Sequence, residues 1–447
     1  MSSISSSLTS GSGLDVQATV DQLIYTERAP ERLMQTQKAK LDSQATALNS
    51  IQTRLSSLED AVFDLKDFTG SLTKQLVTSS DNSTVSASAE VGAATAKHTI
   101  IVSSLATTSS WYSKSITDAN YKFASGSGMT VQIGEGTAKN LSFDGKSLSE
   151  AVDYVNESGV GLRASVVNDA MGTRLVLISD TSGLAGNIQV TSDTTALGWK
   201  SSGAGQNAQL TVDGVPIESS TNTVSGVIPN VTLTLSKQTG GAAVTLNVGP
   251  DTTNAKQAIS AFVSSYNAVI SALNSQFSFD ASTKQTGVLA GDNTLIDLQG
   301  NLLAEISHKV SGEDGAQTLR SLGITMGNDG LLTLDGSALD NAMTKDFAAV
   351  RNFFQSSTTG DEGFAVHLGQ LLSQVNSVSG SVSADLNGIR NSSKSIQDQI
   401  DDFETRIAAR EQQLLDEYTR IDVMLRKFAA SQTQISAQLG SLDTTTK

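Results

Sequence analysis

The side chains of this chain that could perform catalysis or bind a metal are few and scattered. The sequence has no cysteine, and its three histidines, His98, His308 and His367, lie far apart. Zinc sites recognisable from sequence bring Cys and His together at short motif spacings, and no such spacing joins these residues. Without cysteine there are neither disulfides nor thiolate metal sites. The sequence therefore predicts no metal site and no histidine-based catalytic triad.

A phosphate-binding loop is the second candidate. Gly145, Lys146 and Ser147 lie between a strand pattern and a helix pattern, as the end of a P-loop does. A P-loop also needs a glycine five residues before Gly145, and Asn140 occupies that position. Ser147 and Glu150 have instead the spacing of a capping box, in which each side chain bonds to a backbone N–H of the other residue. We predict a turn followed by a helix, and no nucleotide cofactor.

The carboxylates give no clearer sign of catalysis. Residues 327–336 place acidic side chains beside glycine, but they lack the alternating ligands and the final Glu of a calcium loop. A hairpin around Asn328-Asp329-Gly330 is the better interpretation. Asp401 and Asp402 stand at a predicted helix start, where the helix dipole favours negative charge. The sequence predicts no catalytic residue and no cofactor, so we expect a protein that is not an enzyme.

Composition narrows the classes of partner. The chain has 447 residues, enough for two to four domains, and a net charge of −15 without a Lys/Arg cluster. Nucleic acids and anionic membrane surfaces attract basic patches, so neither is an expected partner. No apolar run approaches the roughly 20 residues that span a bilayer, and the first positive side chain is Arg28. We expect no membrane insertion, and either a cytosolic protein or export without a cleaved signal.

The N-terminal region carries a seven-residue apolar repeat, which is typical of helices that pack along a seam. One row starts at Met34 and its companion row starts at Gln37. Pro30 lies where it would start this helix or kink a longer one. The predicted stalk seam comprises Leu41, Leu48, Ile51, Leu55, Leu58 and Val62.

The C-terminal region keeps one heptad row apolar, from Ile400 to Leu442, while its companion row is mostly charged or polar. Burial against a partner supplies most helix stability, so such a helix suits packing that is completed in an assembly. An amphipathic helix at 12–24 is its expected partner within the chain. The predicted assembly interface comprises Leu14, Val20, Leu23, Ile24, Ile407, Leu414, Ile421, Phe428, Ile435 and Leu442. An apolar stripe is equally typical of a private core, and the residues alone leave both interpretations open.

Between these ends the apolar period changes from seven to two, which indicates short strands. Turns at Asp144-Gly145 and Asp213-Gly214 separate some of them, and helical patterns return at 254–277 and, starting at Ser337, at 337–354. The strand patterns cover 98–106, 129–133, 161–168, 173–179, 208–217, 231–236 and 242–248. We predict an α+β multidomain fold: a coiled-coil stalk of paired N- and C-terminal segments, with a β-rich head of two nested domains in the middle.

Several segments, in this order, resemble one known family. They are Ser12-Gly13-Leu14-Asp15 with the helix after it, 98–106 ending in Leu105-Ala106, 208–235, 261–270 with Phe262, Tyr266 and Asn267, 288–295, and 322–335. Each string is of low specificity, but their shared order is specific. The sequence resembles the bacterial flagellar filament cap family, also called hook-associated protein 2 (FliD). Residues 116–200 match it least.

The resemblance, together with the periodicity, implies a domain plan. The expected parts are a flexible N-terminal leg at 1–40, a helical stalk at 41–77 plus 273–400, an inner β-rich head at 78–115 plus 201–272, an outer head inserted at 116–200, and a C-terminal heptad helix at 401–447 that pairs with the leg.

The resemblance also implies the function. Members of the family are exported unfolded by the flagellar type III apparatus and form a homo-oligomeric ring, commonly a pentamer, at the extracellular filament tip. Flagellin subunits fold and insert beneath that ring, hook-filament junction proteins are further partners, and an export chaperone covers the C-terminal helices. Two alternatives stay open at this point: an extracellular adhesin that binds host glycans, and a periplasmic adaptor of a secretion or efflux system.

Overall fold

The structure is a computed structural model that describes residues 15–281, 284–310, 316–358 and 361–443, with backbone alone for 280, 361 and 440–443. The chain divides into two compact units. The helical unit takes its described residues from Met1–Phe63, Ser260–Leu339 and Asn352–Lys447. The β-rich unit comprises Asp64–Ile259 and Asp340–Arg351.

The α-helices of the described ranges include two long ones near the chain ends. They are α1 Val16–Glu27, α2 Ala29–Lys66, α3 Leu148–Glu157, α4 Thr252–Phe277, α5 Asn293–Glu305, α6 Gly336–Lys345, α7 Phe347–Gln355, α8 Phe364–Asn376 and α9 Ser381–Asp443. Pro30 lies in the first turn of α2, where its missing N–H costs no helical hydrogen bond.

Polar side chains join α2 to the N-terminal part of α9. Arg390 donates to Asn49 at 3.2 Å, and Gln52 donates to the Ser383 hydroxyl at 2.8 Å. Because the residue numbers rise along α2 as they fall along α9, the two helices are antiparallel. Of the predicted seam, Leu41 is half-buried, and the members that lie fully buried are Leu48, Ile51, Leu55, Leu58 and Val62.

An aromatic cluster forms part of the core of the helical unit. The ring of Phe364, at the start of α8, lies 5.5 Å from Phe262 and 5.7 Å from Phe353, centroid to centroid. Phe354 makes an edge contact with the same ring at 6.1 Å. These large side chains are fully buried. Aromatic pairs at such distances add to the free energy of area burial, so they fix α4, α7 and α8 against one another.

Short strands make up most of the β-rich unit. Its strands are β1 Gln75–Ser79, β2 Val85–Ala89, β3 Ala96–Ser104, β4 Thr108–Tyr112, β5 Gly128–Ile133, β6 Lys139–Ser142, β7 Leu162–Asp169, β8 Gly172–Ser182, β9 Ile188–Asp193, β10 Lys200–Gly203, β11 Ala208–Val212, β12 Val215–Ser219, β13 Thr223–Ile228, β14 Val231–Leu235 and β15 Val244–Pro250. The helical unit adds small hairpins, namely β16 Phe279–Asp280 with β17 Gln285–Thr286, β18 Ile324–Met326 with β19 Leu332–Leu334, and β20 Ser357–Thr358 with β21 Asp361–Glu362.

The strands of the β-rich unit surround two separate hydrophobic cores. The first core lies between the sheet β1-β15-β3-β11-β12 and the sheet β13-β14-β2, with Ile100, Leu233 and Leu246 fully buried. The second joins the sheets β10-β4-β8-β7 and β6-β5-β9 to α3, with Phe143 and Leu175 at its centre. All the strand pairs are antiparallel. The predicted mixture of helix and sheet, with a β-rich middle between long terminal helices, is confirmed.

Local sequence signals for turns and caps are confirmed at several places. Asp213 and Gly214 both have positive φ, 54° and 82°, as a two-residue hairpin turn requires. Ser147 and Glu150 form the predicted capping box at the start of α3. The Gly145-Lys146-Ser147 stretch is therefore a turn and a helix cap, as predicted.

The predicted single helix at 337–354 is wrong in two respects. Asp335, and not Ser337, caps its start, since the Asp335 carboxylate accepts from the backbone N–H groups of Ser337 and Ala338. The segment is also two helices, α6 and α7, because Asp346 interrupts it. The Asp346 carboxylate accepts from the Ala349 N–H at 2.9 Å and so starts α7.

Candidate assembly surface on the terminal helices

A side-chain cap fixes the start of α1. The Asp15 carboxylate accepts a hydrogen bond from the Ala18 backbone N–H at 3.0 Å, which satisfies one of the free donors of the first turn. From that start, Val16, Val20 and Ile24 follow at intervals of four residues and lie on one side of the helix. The sequence thus builds a narrow apolar stripe on a short helix that could not be stable alone.

That stripe packs on α9 and closes a small core, called here the α1–α9 cluster. Val20, Ile24, Ile407 and Leu414 are buried against one another. The half-buried side chains around them are Val16, Phe403, Leu415 and Tyr418. Fully burying an aliphatic side chain contributes about 1.5–3 kcal/mol, so the gross contribution of the four is about 6–12 kcal/mol before the cost of ordering the chain.

Polar contacts join the end of α1 to the start of α2. Arg28 donates to the Glu31 carboxylate at 2.9 Å, and Glu31 is buried. Arg32 donates to the carbonyl of Tyr25 at 3.0 Å, and its guanidinium lies 4.5 Å from the centre of the Tyr25 ring. Farther out, Arg410 of α9 approaches Glu27 at 3.6 Å between exposed side chains, a contact that adds little.

Beyond Leu414 the apolar row of α9 leaves the cluster and becomes exposed. Ile421 is half-buried, whereas Phe428 is 72% exposed and Ile435 is 57% exposed. Other large apolar side chains of the same helix end are exposed as well. Together they form what is called here the exposed stripe: Met424, Leu425, Phe428, Ile435 and Leu439. Concentrated apolar exposure of this kind is typical of a surface that binds another protein.

The predicted interface residues therefore fall into four groups. The structure brings Val20, Ile24, Ile407 and Leu414 together, and it leaves Phe428 and Ile435 exposed. Leu23, which is 37% exposed, and the half-buried Ile421 lie outside the cluster. Leu14 and the side chain of Leu442 lie outside the described residues.

Sequence reasoning missed several members of the cluster. A strict seven-residue frame excludes Leu415 and Tyr418, which pack at the edge of the cluster. Phe403 belongs to the companion heptad row. The spacing 403, 407, 414, 418 follows the 3.6-residue helical period, and counting in that period would have found Tyr418.

Across the helices that the structure describes, none combines the length and the apolar character needed to cross a bilayer.

Comparison with protein families shows what this architecture is similar to. The family model described as "Flagellar hook-associated protein 2 C-terminus" matches residues 205–430. The model described as "Flagellar hook-associated protein 2 N-terminus" matches residues 12–109. These ranges contain α1 and most of α9, hence the whole α1–α9 cluster.

Relatives and solved structures agree with these matches. The flagellar hook-associated protein 2 of Escherichia coli K12 is 28% identical over 469 residues, which cover 98% of each chain. The B-type flagellar hook-associated protein 2 of Pseudomonas aeruginosa PAO1 is 28% identical over 400 residues, covering 81% of this chain and 82% of the relative. The crystal structure of the D1-D2-D3 domains of the flagellar cap protein FliD from Escherichia coli superposes with a TM-score of 0.62 at 29% identity, covering 77% of this chain and 99% of that one. This chain belongs to the flagellar hook-associated protein 2 family.

Proposed function

We propose that this chain caps a flagellar filament. In this proposal, copies of the chain assemble at the filament tip, promote the folding and insertion of flagellin subunits, and prevent their loss. The exposed stripe carries the proposal, because it continues the helix that forms the α1–α9 cluster and offers apolar surface for a partner. The relatives named above are hook-associated and cap proteins, and they give the adhesin and adaptor alternatives no support.

The two parts of α9 have different roles in the mechanism we propose. The α1–α9 cluster joins the N- and C-terminal helices into one leg within the chain. The exposed stripe then packs against the filament end. Because the companion heptad row is mostly charged or polar, the apolar contact is narrow and its binding free energy is modest. A leg that binds modestly detaches and rebinds as each subunit is added, whereas a fully apolar seam would hold the cap in place.

The domain plan and the partners belong to the same proposal. The legs are 1–40 and 401–447, the stalk is 41–77 plus 273–400, and the heads are 78–115 plus 201–272 and 116–200. The ring is a homo-oligomer, for which a pentamer is the working stoichiometry. An export chaperone binds the C-terminal helices before secretion, and hook-filament junction proteins are further partners. The protein acts outside the cell and without enzymatic activity.

Electron microscopy of filament ends tests the location. An epitope inserted between Gly240 and Gly241 lies in an exposed turn, where a Cβ atom at either glycine would meet no atom within 4 Å. Gold-labelled antibody at filament tips only is the expected result in a strain whose sole copy carries the epitope. Label along the shaft would indicate that the chain is a filament subunit and not a cap. Filaments without any label would overturn both the cap function and the subunit function.

A further inference from the structure

Three potential metal ligands meet at the end of α5. Glu305 is the last residue of α5, and His308 follows one turn later, held there by a hydrogen bond from its backbone N–H to the Glu305 carbonyl at 2.9 Å. His367 belongs to the first turn of α8. The two histidines are far apart in sequence, so the packing of α8 beside the end of α5 brings them together. All three residues lie in the helical unit.

The geometry of the three side chains is close to that of a chelating set. One ligand atom from each of Glu305, His308 and His367 lies within 4.8 Å of the others. The imidazole rings are stacked, with centroids 4.5 Å apart and planes 12° from parallel. His367 Nδ1 lies 2.6 Å from Glu305 Oε1, and only 9% of the Glu305 side chain is exposed. A buried carboxylate and two partly exposed imidazoles therefore face one another.

We propose that Glu305, His308 and His367 bind a divalent transition-metal ion, with zinc the best fit. Imidazole nitrogen with one carboxylate oxygen is a ligand set that zinc, copper and nickel accept, whereas magnesium and calcium prefer oxygen ligands. Zinc–nitrogen bonds of about 2.0–2.1 Å at tetrahedral angles place the ligand atoms of one ion about 3.4 Å apart. The ligand atoms lie within 4.8 Å of one another, so a closure of up to about 1.4 Å is required, and the partly exposed histidines are able to rotate to make it.

The neighbourhood suits an ion that also keeps a water ligand. Three protein ligands leave one tetrahedral position open. The site opens on a depression whose polar lining includes Asn301, Gln370 and Gln374, side chains that are able to hydrogen-bond to such a water. An ordinary Glu–His ion pair would account for two of the residues but not for the stacked His308. The ion would tie the end of α5 to the start of α8.

Zinc titration of the untagged full-length chain tests the site. Isothermal calorimetry should show one zinc ion per chain, and zinc should raise the thermal unfolding midpoint, because a ligand that binds only the folded state stabilises it. His308→Gln leaves the Glu305–His367 pair intact and should weaken zinc binding at least tenfold. His367→Gln should do the same. Cobalt(II) should give the visible absorption of a four-coordinate site in the wild type and lose it in both variants.

His98→Gln is the matched control. His98 is also paired with a carboxylate, Asp213, at 2.7 Å, but it belongs to no comparable three-ligand group among the described residues. This variant should bind zinc as the wild type does. Absence of zinc binding, binding unchanged in His308→Gln, or an equal midpoint shift with magnesium would each overturn the proposal. Because capping enters none of these readouts, the site stands or fails independently of the proposed function.

Discussion

The carboxyl groups of Asp292 and Asp385 are neighbours in the helical unit, where both line the same depression. Asp292 caps α5 by accepting from the Leu295 backbone N–H at 3.1 Å, and Asp385 lies in the second turn of α9. Burial raises the pKa of Asp385 to about 6, and the neighbouring carboxyl group of Asp292 adds to the rise. The neutral form of Asp385 is therefore favoured beside the start of α5.

This pair makes stability depend on pH. The pKa of Asp385 is higher in the folded chain than the ordinary Asp value of about 3.9. The contribution of protonated Asp385 to the free energy of unfolding is therefore full below about pH 3.9 and is lost as the pH rises through about 6. Asp385→Asn keeps a hydrogen-bond donor that does not titrate. The free energy of unfolding of this variant should exceed that of the wild type by about 1–2 kcal/mol at pH 7.5, allowing for solvent screening. At pH 4 the two proteins should be nearly equal in stability.

Urea midpoints of both proteins at pH 4, 6 and 7.5 check this prediction. Asp398→Asn, on an exposed part of the same helix, serves as the control and should change stability by less than about 0.5 kcal/mol. A stability difference between Asp385→Asn and the wild type that stays constant with pH would contradict the raised pKa of Asp385.

The α1–α9 cluster should hold α1 in place. Leu414→Ala removes buried methyl groups and should cost about 2–5 kcal/mol, lost mainly as local opening of α1. Amide hydrogen exchange across Val16–Glu27 should accelerate markedly. Leu23→Ala, on the same helix but partly exposed, should change exchange far less. Unaltered exchange of α1 in Leu414→Ala would show that the cluster does not secure it.

Close backbone packing around Gly186 predicts that replacing this glycine destabilises the β-rich unit. A Cβ on Gly186 would lie 1.8 Å from the Thr181 carbonyl oxygen, so the backbone must move to accept Gly186→Ala. We expect a loss of about 1–3 kcal/mol. Gly203→Ala places its Cβ in open space and should be close to neutral. Thermal midpoints of the two variants check this, and equal midpoints would mean that the contact is not tight.

Sequence reasoning succeeds where the signal is local. The capping box at Ser147 and the turn at Asp213 each depend on residues a few positions apart, and the apolar members of the α2 seam are evident from their spacing. It fails at Asp335 because several neighbouring residues are able to cap a helix, and only the backbone decides which one does.

Tertiary packing accounts for the rest. His308 and His367 have no local signal that joins them, and the Glu-x-x-His spacing at Glu305 is too common to predict a site by itself. The start of α9 was likewise missed, since Val382 and Leu386 are buried well before the heptad row at Ile400. Such contacts between distant segments leave no periodicity in the sequence.

Filament growth should depend on the exposed stripe of α9. The variant Phe428→Ser with Ile435→Ser removes two exposed side chains and should leave the fold unchanged. Leu33→Ser, also highly exposed but on α2, is the control. Each would replace the native copy, and filament length, secreted cap protein and free flagellin in the medium would be measured. We expect the double variant to be secreted but to give short or absent filaments and free flagellin, while the control strain grows filaments of normal length. Filaments of normal length in a strain that secretes the double variant would show that the exposed stripe is not needed for growth.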